Sequence, residues 1–402
     1  MRHNPARCEN IVAYTRTLIA LLEQSIEEET SVSSKLSYNV VGIGDAGKLM
    51  AHLLKIQPKA ALFYGQDIEF ARAVKSALPD TAVLIRHWPD ENAWHTPPLD
   101  YVNRYAPTVG SDLYLVLNNE SGFSQEFLDW TLAVMKLCVE RKVHAAVLNL
   151  NTGTPKPEEW PKARAILELA SQHSELFVVS LHEYAGAVVT SGLYGGWPDN
   201  AGVAPGQSGG KNLIPPENWP KSIDGVTAFH MGRYHFLLSY CKSIGLKPPR
   251  IIITESGFDT TGDILGFLDK QPRTPPYSSL SGWKTLVNAW KRFWPQWTAM
   301  QAYFNQIRYA IETYYQDAEA VLVFGWVNGG EWDFDDLSQQ QEWQDALEAY
   351  VSAPAPTPAP VPQPVPVPEP TPQAALDLTE IAKQVSIAQA ALDRLTDLLK
   401  VQ

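Results

Sequence analysis

Two carboxylates stand where this chain could do chemistry. Glu120 closes the segment LYLVLNNE (113–120), and Glu255 closes RIIITE (250–255). Glu255 directly follows a β-rich apolar run and Glu120 comes two residues after one, the place where a buried strand emerges from a sheet. If both strands belong to one closed sheet, the two acids face each other across its mouth. Such a pair is the equipment for glycoside cleavage: one carboxyl, protonated, assists departure of the leaving oxygen, while the other, ionised, attacks the anomeric carbon. A separation of about 5 Å allows direct attack and gives retention of configuration.

The elements that must position these acids can be read from hydrophobic patterning. Residues 36–352 contain eight short apolar runs, at 39–44, 60–65, 82–88, 113–118, 144–150, 176–184, 250–255 and 320–326. Helical periodicity separates them, clearest over 124–142, 158–173, 223–244 and 297–316. Continuous apolar strands alternating with helices indicate a parallel sheet covered on both faces. Eight such units predict an α/β fold, a (β/α)8 TIM barrel, with a doubly wound sheet as the rival. By strand alternation Ile251, Ile253 and Glu255 share one face, which is expected to be the barrel interior. Two long connections, 185–222 and 256–296, follow the sixth and seventh runs at the C-terminal face, where barrels build their sites.

The ordering of motifs resembles the clan A retaining glycoside hydrolases, the cellulase and mannanase group. Asn119-Glu120 closes strand four, His182-Glu183-Tyr184 closes strand six, Glu255 closes strand seven and Trp326 closes strand eight. The resemblance covers about residues 36–350 and implies Glu120 as acid/base and Glu255 as nucleophile, acting on a poly- or oligosaccharide without a cofactor or metal. It further implies substrate contacts from Asn119 to the sugar 2-hydroxyl, from His182, and from Trp326 to a pyranose face. Tyr184 would bond to Glu255 and keep it ionised and aimed. Strand three ends Arg86-His87-Trp88, where a substrate-binding histidine is expected, and alternation leaves open which of Arg86 and His87 points inward. Trp88, Trp197 and Trp332 are candidate sugar platforms. The first and second strand ends, Gly44-Asp45 and Gly65-Gln66, lack the arginine that some of these families place near the nucleophile. Competing structural readings stand beside these: Glu120 as a solvated loop acid, Glu183 as the alternative acid, His182 as a structural hydrogen bond and Trp326 as a core cap.

A second motif points elsewhere. Gly42-Ile-Gly44-Asp-Ala-Gly47 has the dinucleotide-binding spacing between a strand and a helix, and Asp67 ends the next strand where a ribose-binding acid would sit. An NAD(P)-dependent oxidoreductase is therefore one alternative, although any tight βα turn favours glycine. A barrel that binds glycan without cleaving it, as part of a larger assembly such as a virion, is another. No His-x-His follows the first strand and no G-x-S-x-G elbow is present, which argues against a metal-dependent barrel hydrolase and a serine hydrolase.

Composition narrows the partners. The net charge of −12 repels nucleic acid, and no apolar stretch reaches the ~18 residues a membrane span needs. No signal peptide is read in MRHNPARCEN. Cys8, Cys138 and Cys241 are too far apart for a disulfide framework and are expected to be buried small hydrophobes.

The expected organisation is an N-terminal helix within 1–35, the barrel at 36–352, a linker at 353–373 and an amphipathic helix at 374–402. Alternating prolines from Pro354 to Pro372 predict an extended polyproline spacer. Leu378, Ile381, Val385, Ala388, Leu392, Leu395 and Leu399 then form a heptad seam, predicting homo-oligomerisation or docking on another protein.

Overall fold

In the computed structural model of the chain, the described residues are 33–87, 93–185, 231–258, 296–327 and 336–353. The expected N-terminal helix, the proline run and the heptad segment lie outside them. The eight apolar runs become β1 (Leu36–Val40), β2 (Ala60–Tyr64), β3 (Ala82–Arg86), β4 (Tyr114–Val116), β5 (Ala145–Leu150), β6 (Phe177–Ala185), β7 (Arg250–Phe258) and β8 (Ala320–Trp326). Neighbours pair in sequence order and in parallel, and β8 returns to β1, so the sheet closes into a (β/α)8 barrel. Among the described residues, the α-helices between and after the strands are α1 (Ala46–Ile56), α2 (Ile68–Ala77), α3 (Pro98–Val109), α4 (Gln125–Arg141), α5 (Arg164–Gln172), α6 (Tyr234–Ser243), α7 (Ala299–Thr313) and α8 (Gln341–Ser352). Among the described residues no helix is long and apolar enough to cross a membrane.

Closure of the sheet overturns the doubly wound alternative. The glycine-spaced motif is the first βα turn of the barrel: Gly44 takes a left-handed backbone (φ 59°) and the Asp45 carboxylate caps α1, accepting the Lys48 N–H at 2.9 Å. A closed barrel has no strand-order reversal, so the crevice in which doubly wound sheets hold dinucleotides is absent from this sheet.

The strands are mainly apolar because each buries two faces. Leu36, Tyr38, Val40, Val83, Ile85, Val179, Leu181, Ile251 and Ile253 pack with the helices in one cluster. Their alternates Leu62, Leu84, Val116, Val178, Ile252 and Leu322 fill the lumen in another. Each such side chain fully buried contributes about 1.5–3 kcal/mol. The first and last helices are joined through a polar chain: the Tyr38 hydroxyl meets His52 Nε2 at 2.9 Å and accepts Trp343 Nε1–H at 3.1 Å, while His52 Nδ1 lies 2.7 Å from Glu348. Cys138 and Cys241 are buried, and burial pushes their thiols up to about 12 and about 11.

The alternation breaks near the C-terminal ends of three strands. Pairing skips a residue at Leu148–Asn149 in β5, at Thr254 in β7 and at Gly325 in β8. One extra residue turns everything after it to the opposite face of the sheet. These bulges decide which side chains enter the barrel mouth.

Candidate active site

Regular alternation along β6 sends Ser180, His182 and Tyr184 toward the lumen and Val179, Leu181 and Glu183 toward the helices. In β7 the ladder places Ile251 and Ile253 against the helices, opposite to the expectation from alternation. Glu255 enters the lumen because the bulge at Thr254 inserts the residue that reverses the pattern.

The Glu255 carboxylate is nearly buried and receives donors from three strands. The Tyr184 hydroxyl donates to Oε2 at 2.8 Å, Asn39 Nδ2 donates to Oε1 at 3.2 Å, and Arg86 forms an ion pair with Oε1. The Arg86 guanidinium lies over the Tyr64 ring, 4.9 Å from its centroid. Burial alone would lower the Arg86 pKa, but the charge of Glu255 and the Tyr64 and Tyr184 groups hold it above the ordinary value. Arg86 stays charged, and Glu255 has its counter-ion within the barrel.

Glu120 sits at the rim with 45% of its side chain exposed. Its backbone is left-handed (φ 47°), and its N–H donates to the Asn149 carbonyl at 2.9 Å, which turns the side chain back over the mouth. His182 Nδ1 lies 2.9 Å from Glu120 Oε1 and 3.3 Å from Glu255 Oε2, so the imidazole stands between the acids. The hydrogen bond from His182 is the main cause that holds the Glu120 carboxyl below the usual carboxylate range, with partial burial opposing it. One carboxylate oxygen each from Glu120 and Glu255 and a ring nitrogen of His182 all lie within 4.8 Å of one another.

That trio has the donor types of a metal site. Glu255, however, already accepts Asn39 and Arg86 at one oxygen and Tyr184 at the other, so a cation would have to displace or adjoin a guanidinium. The donor set fits an aimed, ion-paired carboxylate better than a ligand.

The remaining sequence candidates fall in different places. Asn119 is half-buried beside Glu120, with its Oδ1 accepting from Asn149 Nδ2 at 3.2 Å. The ambiguity on strand three resolves in favour of Arg86. His87 points the other way, stacks on Tyr105 and meets the Thr108 hydroxyl at 3.0 Å, so it does not reach the carboxylates. Trp326 requires a correction: it is 1% exposed, packs edge-on to Tyr38, stacks with His52 and donates its indole N–H to the Ile43 carbonyl. The bulge at Gly325 turns it to the helix side, so it offers no face to a sugar. Glu183 likewise faces outward, where its carboxylate accepts the N–H groups of Gly232 and Tyr234, each at 2.6 Å, at the start of α6. Trp88, Trp197 and Trp332 lie outside the described residues.

Sequence reasoning missed several participants. Asn39 lies next to the last residue of β1 and Tyr64 closes β2, and Asn149, Ser180 and Thr254 form a buried polar layer beneath the acids. Asn39 carried a readable signal, a single amide within a run otherwise suited to the core.

No protein-family model matches the chain, and no curated protein matches it. Among solved structures it is similar to the Clostridial cellulose synthase subunit Z (CcsZ) from Clostridioides difficile, with TM-score 0.37 and 11% identity over 79% of this chain and 99% of that one. It is also similar to a beta-glucosidase from Exiguobacterium marinum, with TM-score 0.36 and 9% identity over 81% of this chain and 99% of that one.

Proposed function

We propose that this barrel is a glycoside hydrolase that cleaves a poly- or oligosaccharide with retention, using Glu255 as nucleophile and Glu120 as acid/base. The observation that supports it is the approach of the two carboxylates to within 4.8 Å at the C-terminal mouth of the barrel. Retaining enzymes need about 5–5.5 Å, whereas inversion needs about 6.5–9.5 Å to seat a water between the acids.

The environments divide the labour. Glu255 is sequestered and aimed by Tyr184, Asn39 and Arg86, as a nucleophile must be. Glu120 is at the rim, where it can reach both the departing oxygen and an incoming water. In the first step Glu120 gives its proton to the glycosidic oxygen while a Glu255 oxygen bonds to the anomeric carbon and the glycosidic bond breaks. In the second, Glu120 takes a proton from water, the resulting oxygen attacks the anomeric carbon, and Glu255 leaves as carboxylate. The reading requires a substrate to displace the His182 bond that holds Glu120 ionised. A sugar seated on the exposed part of Glu120 would also remove its water, and both changes raise its pKa toward that of an acid.

The test is turnover of an aryl glycoside panel, with the first-formed anomer followed by proton NMR. Retention, loss of turnover in Glu255→Gln, and azide rescue of Glu120→Ala are the expected results. A 2-deoxy-2-fluoro glycoside should label Glu255 covalently. Glycan binding with no turnover, unaffected by either substitution, would overturn this reading in favour of a binding barrel.

A further inference from the structure

Beneath the two acids one side-chain amide on β5 is shared by the ends of β4, β6 and β7, which carry Glu120, His182 and Glu255. Asn149 is fully buried at the end of β5, inside the bulge, with Leu148 at φ 75° and Asn149 itself at φ 30°. A left-handed leucine is uncommon, and here it turns the next side chain into the polar layer. Asn149 Nδ2 donates to the Asn118 carbonyl at 2.8 Å and to Asn119 Oδ1 at 3.2 Å. Its Oδ1 accepts the Thr254 hydroxyl at 2.8 Å and the Ser180 hydroxyl, and these two hydroxyls are 2.8 Å apart. Its main-chain carbonyl accepts the Glu120 N–H at 2.9 Å. Two donors and two acceptor sites are thus all used.

The partners are placed one or two residues from the site groups: Asn118 and Asn119 before Glu120, Ser180 before His182 on the same face of β6, and Thr254 directly before Glu255. The network also has a direction. A carbonyl can only accept, so the contact with Asn118 assigns the Asn149 NH2 group to that side. The second N–H then meets Asn119 through its oxygen, which leaves the Asn119 NH2 as the group available to a ligand.

We propose that Asn149 is the positioning residue of this site: its amide ties the segment before Glu120 to the strand ends that carry His182 and Glu255, and so sets the separation of the two acids. The proposal rests on the hydrolase reading and adds to it a residue that touches neither substrate nor reacting atoms.

The experiment compares two substrates of the full chain, one with a dinitrophenyl leaving group that needs no proton and one with an alkyl leaving group that does. In Asn149→Ala, kcat/KM on the alkyl glycoside should fall about 100-fold, the lower end of what a positioned acid supplies, and on the dinitrophenyl glycoside less than about 10-fold. Thr254→Val, which removes one of the two hydroxyls from the Asn149 oxygen, should shift the ratio in the same direction by less. It serves as the reading if Asn149→Ala does not fold. Equal losses on both leaving groups in both variants are what a merely structural residue would give, and would overturn the proposal. Failure of the hydrolase reading looks different, because the wild type itself would then turn over neither glycoside.

Discussion

Glu183→Gln isolates the electrostatic cost of the carboxyl that adjoins the site. Glu183 is 1% exposed, and burial pushes its carboxyl up to about 7 from the ordinary 4.5, against the pull of the Tyr234 and Gly232 N–H groups. Tyr315 and the Arg233 guanidinium are the other polar groups acting on it. The folded chain therefore binds this proton more tightly than the unfolded chain does between about pH 4.5 and about pH 7. The resulting stability is fully present below the unfolded value and is lost as pH rises through the folded one. At ~1.4 kcal/mol for each tenfold change in proton affinity, the displacement is worth about 3 kcal/mol.

Glutamine keeps the shape and cannot ionise. Its single oxygen accepts one N–H and leaves the other facing its own NH2 group, a pH-independent cost of about 1–3 kcal/mol. Urea unfolding at about pH 5 and about pH 8 measures both effects. The wild type should lose about 2–3 kcal/mol more across that interval than the variant. Asp67, pushed up to about 6 by burial, loses stability over the same interval in both proteins, and the difference removes it. Equal losses in the two proteins would refute the reasoning.

Other perturbations read other parts of the site. Arg86→Met should destabilise the barrel by about 3–5 kcal/mol, because it leaves Glu255 buried without its counter-ion; adding Glu255→Gln should restore most of that, as thermal unfolding of the single and double variants will report. Trp326→Ala should cost about 3–5 kcal/mol of stability through the cavity it opens against Tyr38 and His52, while isothermal titration shows glycan affinity unchanged. His182→Ala removes the main cause that lowers the Glu120 pKa, so the alkaline limb of kcat/KM, which reports the free acid, should move to higher pH. A limb that stays in place would show that Glu120 is not the titrating acid.

Element positions were legible because a parallel barrel covers both faces of its sheet, which makes most of each strand an apolar run. The same property concealed orientation. Ala82, Val83, Leu84 and Ile85 are all apolar, so nothing in their chemistry says that Ala82 and Leu84 line the lumen while Val83 and Ile85 meet the helices. Arg86 and His87 could not be ordered until the register placed them. No arginine closes either of the first two strands, where the resemblance would place it, and Arg86 on the third supplies the guanidinium beside Glu255.

The three bulges explain both the agreement and the error. Ile251 and Ile253 were expected in the lumen and face the helices, yet Glu255 still enters the mouth, because Thr254 is the extra residue that compensates. At Trp326 the compensation runs the other way: Phe324 opposes Asn39, Gly325 is skipped, and the indole that alternation would have sent inward is turned out. In β5 the insertion brings Asn149 beneath the acids. A bulge has no reliable signature in an apolar run, since glycine marks one of these three and Leu-Asn and Thr the others. Bulges concentrate where a strand must re-aim its last side chains. The layer of the barrel that periodicity reads worst is therefore the layer in which its chemistry is assembled, and polar residues interrupting an apolar strand near its C-terminal end, as Asn39, Asn149 and Thr254 do, are the signal to follow there.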